Sequence, residues 1–112
     1  MLEALGAIQR HTSGHSFEAF AADEVLTAAI LYHFMILGEA ATQIPQDVQD
    51  QSPLAAWPKI RGMRNRLMHA YFQTDLRIVW DTAIVELPAL KAELERLLNE
   101  GGPPHSPTSY LQ

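Results

Sequence analysis

Apolar residues recur at helical spacing in four stretches of this chain, Leu2–Arg10, Asp23–Ile44, Trp57–Tyr71 and Leu76–Asn99, and nowhere alternate as in a half-buried strand. In the second stretch, Leu26, Ile30, His33, Leu37, Ala41 and Ile44 follow the three-to-four spacing of one helical face. Leu31, Phe34, Met35 and Ile36 fill most of the remaining circumference. A helix apolar on so many sides is expected to be buried on several of them, more than a small bundle needs, which points to a subunit interface. Pro45 ends that helix, and a polar connection containing Pro53 follows. Pro58 suits the first turn of the third helix, where no intrahelical N–H is required. Thr74 or Asp75 can cap the fourth by accepting from free backbone amides. There, Leu76, Trp80, Ala83, Leu87, Leu90, Leu94 and Leu97 alternate spacings of four and three, a bundle-forming seam that Pro88 should kink or divide.

The pattern predicts an all-α, up-and-down bundle of four to five helices. Residues 1–100 form a single domain, and the Gly/Pro/Ser-rich end, residues 101–112, reads as a flexible tail. At 112 residues the chain is large enough to bury a core without covalent staples. It has no cysteine, which removes disulfides, thiolate zinc sites and a Cys nucleophile together. The longest apolar run, "AAILYHFMILG", is short of a membrane span, and no basic-then-apolar leader opens the chain. The expectation is a soluble cytoplasmic domain.

Charge changes this picture locally. The net charge of −5 argues against a general affinity for nucleic acid. Residues 59–77, however, carry five bases (Lys59, Arg61, Arg64, Arg66, Arg77) against Asp75 alone. An acidic body with one basic strip can attract a phosphate backbone at that strip. The same residues also fit a solvated helix face paired with acids elsewhere, and charge alone leaves both readings open.

Within the strip lies "RGMRNRLMHAYF", residues 61–72, where Arg64, Asn65 and His69 stand within six positions. Arginine binds non-bridging phosphate oxygens with a fixed fork of donors. Histidine titrates near neutrality and can move the proton of an attacking or leaving oxygen. Asparagine can orient either partner. Together they supply phosphodiester chemistry with no metal or other cofactor. Asn65 and His69 are four apart and share a helical face. Arg64 and His69, five apart, lie roughly 140° out of alignment at about 100° per residue. Either the Arg64 side chain wraps round the helix, or a second copy of the helix completes the site.

The arrangement "RNRLMHAY" resembles the HEPN superfamily, specifically its HepT-like branch, whose motif is Arg, four residues, His, one residue, Tyr. "ILGEAA" at 36–41, "AWPKIRGMRNRLMHAYF" at 56–72 and "DLRIVWDTAIVELPAL" at 75–90 are similar to the family's segments in the same order. Leu2–Arg10 is short for the family's first helix. The resemblance implies a HEPN-like, homodimeric bundle with the motif helices of two subunits facing each other. It implies the toxin of a type VII-like toxin–antitoxin module, a metal-independent endoribonuclease acting on tRNA or mRNA. It further implies a minimal nucleotidyltransferase as antitoxin partner, which silences the toxin by attaching AMP to the motif tyrosine. On this chain Arg64 would stabilise charge on the phosphorane, Asn65 would position the phosphate, His69 would transfer the proton, and Tyr71 would be the modified residue. A non-catalytic helical partner and acceptor for such a nucleotidyltransferase is the alternative.

Outside the motif, Glu39 in an apolar helix is expected to pair with Arg64 or Arg61, because an unpaired carboxylate there is expensive. Arg61 and Arg66 are candidates for RNA-backbone contact. His33 reads as a core or interface histidine. His11 and His15 flank a turn with no third ligand in view, so no metal site is expected. Trp57 and Trp80 are most simply core aromatics.

Overall fold

The computed structural model describes residues 1–100 and is all-helical over that range, with no strand among the described residues. Four long rods carry the architecture: α1 (Leu2–Thr12), α3 (Glu24–Thr42), α5 (Trp57–Ala70), and the pair α6 (Leu76–Asp81) and α7 (Leu87–Glu100) joined by a π-helical turn, Thr82–Glu86. Two short helices, α2 (Phe17–Ala22) and α4 (Gln46–Asp50), fill connections that the sequence pattern left as loops. The expected tail, residues 101–112, lies outside the described residues.

Local chemistry explains each boundary. Arg10 and His11 close the last turn of α1, where the carbonyl end of the helix favours cations. Gly14 follows at a φ of 78°, a left-handed position that lets the chain reverse towards α2. The Ser16 hydroxyl accepts from the Ala19 amide (3.1 Å), and Asp23 Oδ1 accepts from the Leu26 amide (3.0 Å), capping α2 and α3 in succession. Of the two cap candidates before α6, Asp75 takes the role, accepting from the Arg77 amide at 2.9 Å. α3 ends at Thr42, two residues short of the expected Ile44, and Pro45 is the N-cap of α4.

α3 runs through the centre, packed most extensively on α5 and next on α1, while α1 also meets α7. Its length of 19 residues and its composition would suffice for a membrane span, and 39% of that apolar stretch is buried within the bundle. Leu26, Ile30, Leu31, Phe34, Leu37 and Ala41 are buried. The helix is not apolar-buried all round, however: Val25, Tyr32 and Ile36 remain exposed.

The seam along the last rod is buried through Ala83, Leu87, Leu90 and Leu94, with Leu76 and Trp80 at its edge. The rod is divided just before Pro88, into α6 and α7, with a π-turn rather than a loop between them. Pro88 lacks the N–H that would bond the residue 84 carbonyl, and the turn just before it widens, with the Leu87 amide donating five residues back to Thr82 O.

The connection into α5 is tied down at several points. Trp57 Nε1 donates to Ser52 O (3.1 Å) from a buried position. Arg96 donates to Gln51 O (2.7 Å), to the fully buried Ser52 hydroxyl (2.9 Å) and to Glu93 (2.9 Å). Hydrogen bonds from Arg96 and Ser52 hold the Glu93 carboxyl below its usual range. The start of the basic helix is therefore fixed to the far end of α7.

Candidate functional site

α5 sorts its residues by face. Trp57, Ile60, Met63 and Leu67 are buried against α3 and the last rod. Pro58, Gly62, Asn65 and His69 form an exposed stripe on the other side. Arg64 lies between the two faces, and what holds it there is α3.

Gly38 of α3 is buried directly beneath Arg64. A Cβ at position 38 would stand 2.3 Å from Arg64 Cβ and 3.0 Å from Ile60 O, so only glycine permits the two helices to approach this closely. The Arg64 stem lies over the Gly38 backbone, with the side chain 27% exposed. From there Nε donates to Glu39 Oε1 at 2.9 Å and Nη2 reaches the same oxygen at 2.9 Å. Nη1 donates to Asn65 Oδ1, also at 2.9 Å. Glu39 is the anticipated carboxylate partner, and of the two arginines considered it chooses Arg64. The guanidinium thus reaches its sequence neighbour Asn65, which lies on the exposed stripe that also carries His69. Because Asn65 accepts through oxygen, its amide NH2 is left to donate to a ligand.

His69 is exposed one turn beyond Asn65 and, among the described residues, has no hydrogen-bond or ion-pair partner. α5 ends at Ala70, one residue earlier than the pattern indicated, where φ −148° and ψ 44° leave the helical region. A 3-10 turn, Tyr71–Gln73, follows. Tyr71 is half-buried and packs at the edge of the core rather than continuing the His69 face. It lines a cleft of about 380 Å³ between this turn and helices α2 and α3. Among the described residues its side chain makes no hydrogen bond.

The remaining basic residues separate. Arg61 donates to Gln49 Oε1 at 2.5 Å, which ties it to α4 and gives it a structural partner. Lys59 pairs with Glu86 at 2.8 Å, and Arg77 with Asp81 at 3.6 Å. Arg66 is exposed with no ion pair among the described residues, beside a groove of about 520 Å³ that Gly62, Ile78 and Val85 also line.

Elsewhere, Trp57 is a core residue, while Trp80 sits half-buried against Phe20 with ring centroids 5.2 Å apart. His33 stacks obliquely on His11 at 5.7 Å. Burial, reinforced by His11 and Arg10, pushes its pKa below the ordinary histidine value. No group of three His, Cys, Asp or Glu side chains suited to a metal ion occurs among the described residues. Gly38 and the Arg61–Gln49 pairing were not anticipated from the sequence. The one available signal was a glycine inside an otherwise apolar helical run.

The geometry is that of a basic helix whose arginine is oriented by a carboxylate from the neighbouring helix, with Asn and His on one exposed face. The sequence profile of the family described as Ribonuclease HepT-like matches residues 1–97. This chain belongs to the HepT-like ribonuclease family. A HepT-like protein of Thermococcus cleftensis, named "Probable ribonuclease HepT", is 36% identical over 95 residues, which is 85% of this chain and 86% of that one. A candidate RNase of Caldanaerobacter subterraneus subsp. tengcongensis is 37% identical over 87 residues, 78% of each chain. A candidate RNase of Methanocaldococcus jannaschii is 31% identical over 100 residues, covering 89% of this chain and 83% of its own. No solved structure matches the HepT-like chain significantly.

Proposed function

We propose that this protein is a metal-independent endoribonuclease and the toxin of a toxin–antitoxin module. The observation that carries the reading is the Arg64 guanidinium, held between Glu39 and Asn65, with His69 on the same exposed stripe as Asn65. In the proposed reaction the ribose 2′-oxygen attacks the adjacent phosphorus and gives its proton to His69. Arg64, assisted by the Asn65 amide, stabilises the charge on the phosphorane oxygens. The bond to the 5′-oxygen then breaks, the leaving oxygen takes a proton from the His69 imidazolium, and a 2′,3′-cyclic phosphate and a 5′-hydroxyl result. Arg66 steers the RNA backbone, with Arg61 contributing charge from its bond to Gln49.

The exposed stripe supports a composite site formed by two copies of α5. Gly62 has nothing within 4 Å of the position a Cβ would occupy, so this part of the helix is flat and open to a facing helix. Met68, exposed on α5 itself, adds apolar area that a facing α5 would cover. Tyr71, close in sequence to His69 and without a hydrogen bond of its own, suits modification by a minimal nucleotidyltransferase. An AMP attached there would obstruct the site and repel RNA phosphate. The reaction takes place in the cytoplasm and needs no cofactor.

The test is expression of wild type and His69→Ala in a bacterial host, alongside cleavage assays on purified protein in EDTA. Wild type should arrest growth and release cyclic-phosphate ends from RNA but not from 2′-deoxy substrate. His69→Ala should lose about 10²–10⁴-fold in rate, the usual contribution of general acid–base catalysis. Equal toxicity of the two proteins, or cleavage abolished by EDTA, overturns the catalytic assignment.

One observation favours a second reading, a non-catalytic acceptor for the nucleotidyltransferase. The Arg64 guanidinium already donates to Glu39 and Asn65, so three of its nitrogens have partners before any phosphate arrives. Intact mass after co-expression with the neighbouring nucleotidyltransferase separates the cases. AMP increments absent from Tyr71→Phe, on a protein that never cleaves RNA, would favour the acceptor.

A further inference from the structure

Phe72 is 97% exposed although it directly follows the half-buried Tyr71. It is not on a loose segment. The turn that carries it is closed by the Thr74 amide donating to Tyr71 O (3.4 Å) and the Thr74 hydroxyl donating to Ala70 O (2.8 Å), and α6 begins at once from its Asp75 cap. The Tyr71 and Phe72 rings meet edge to face, centroids 5.2 Å apart and 83° between planes. At this exposure the Phe72 ring stands in solvent, beside the 380 Å³ cleft lined by Glu24, Thr27 and Thr74 and by the apolar Ala21, Ala28, Leu31 and Leu76.

The chemistry of that cleft selects its occupant. Its apolar lining comes from alanine and leucine side chains and from Tyr71. The Thr27 and Thr74 hydroxyls already donate, to Phe20 O at 2.7 Å and to Ala70 O at 2.8 Å, so what they have left to offer is acceptor capacity. Glu24 adds a carboxylate, also an acceptor, and no cation lines the cleft. Acceptors and a carboxylate exclude phosphate here, whereas the basic strip of α5 begins only three residues before Phe72, at His69 and back through Arg66 and Arg64. We propose that Phe72 and this cleft form a nucleobase subsite: one base of the bound RNA stacks on Phe72 and turns its exocyclic amino group towards Glu24, Thr27 and Thr74. Adenine, cytosine and guanine carry that amino donor, and uracil does not. The phosphate of the same strand lies on α5. The inference rests on the RNA-directed reading of the site and adds to it a base-binding element with a stated preference.

The experiment uses full-length protein and 2′-O-methyl oligonucleotides, which bind without being cleaved. The probes are oligo(A), oligo(C), oligo(U) and an abasic strand of equal length. Phe72→Trp retains a stacking face and reports on it by fluorescence. Relative to the wild-type signal from Trp57 and Trp80, oligo(A) and oligo(C) should quench the added indole, and the abasic strand should not. Phe72→Ala should weaken oligo(A) binding about 5-fold or more, in line with the loss of one base–aromatic stack, and leave abasic binding unchanged. Glu24→Gln should narrow the difference between oligo(A) and oligo(U). Equal affinity of wild type and Phe72→Ala for oligo(A) overturns the subsite. So does a change in oligomeric state on Phe72→Ala without a change in affinity, which would make Phe72 a protein contact. Because Phe72 is exposed, the variants should fold, and unchanged circular dichroism confirms it. Cleavage of unmodified RNA by the same proteins reports separately on the nuclease reading. Normal cleavage with Phe72-independent binding sinks the subsite alone, and Phe72-dependent binding without cleavage by wild type sinks the nuclease alone.

Discussion

At the scale of single residues, the position of Arg64 depends on an absent side chain. Gly38 lets α5 lie against α3 so that the arginine stem crosses backbone and its head meets Glu39. Gly38→Ala should force the helices apart, because the added methyl meets a Cβ and a carbonyl, neither of which can swing away. The expected destabilisation is about 1–3 kcal/mol, typical of overpacking a tight contact, measurable by urea denaturation. Glu39→Gln tests the same geometry without steric conflict. The pair is half-exposed, so its loss should change stability by about 1 kcal/mol or less. Activity should fall much further, mainly in kcat, because the guanidinium loses the carboxylate that aims it. A parallel drop in melting temperature and activity, or unchanged kcat, would count against a positioning role.

At the scale of helices, two features of the last rod bear on the motif helix and its surroundings. Arg96 bridges α7 to Gln51 and Ser52, and Ser52 O in turn accepts from Trp57 at the start of α5. Arg96→Ala leaves the buried Ser52 hydroxyl without that donor and should cost about 1–3 kcal/mol, read from chemical denaturation. The π-turn at Thr82–Glu86 is the second feature. It accommodates Pro88 and leaves Ile84 and Val85 exposed, Val85 at the groove beside Arg66. Pro88 was legible as an interruption in the seam. Its outcome was not, because widening one turn and breaking a helix satisfy the same missing hydrogen bond, and only packing of Ala83, Leu87 and Leu90 on both sides of it decides between them.

At the scale of the whole molecule, one core joins the rods, and Phe34 at its centre is fully buried. Phe34→Ala should destabilise by about 3–5 kcal/mol, a large part of the stability of a domain this size. The pH dependence follows from His33. Burial, with His11 and Arg10 nearby, lowers its pKa in the folded state below the ordinary value of 6.5. In the window beneath 6.5 the unfolded chain therefore binds more protons, so stability is complete above it and declines as pH falls through it. His33→Gln should flatten the loss of stability between about pH 7 and pH 5. A mutant curve parallel to wild type over that interval would remove His33 from the account.

The sequence by itself determined the all-helical bundle, the four rods, a cap at Thr74 or Asp75, and the motif Arg64, Asn65, His69 and Tyr71. These follow from the period of apolar residues and from side chains acting within one turn of themselves, so a linear reading contains them. It also supplied Glu39 as a partner but left two arginines to choose from. That choice was decided by tertiary structure, because the answer depends on how closely α3 and α5 approach. The approach is set at Gly38, distant in sequence from the arginine it seats. The same holds for Arg61, engaged by Gln49 on a short helix that the periodicity is too brief to reveal, and for the exposure of Phe72. An apolar residue after a helix reads as core until the turn that carries it is seen to point it outward.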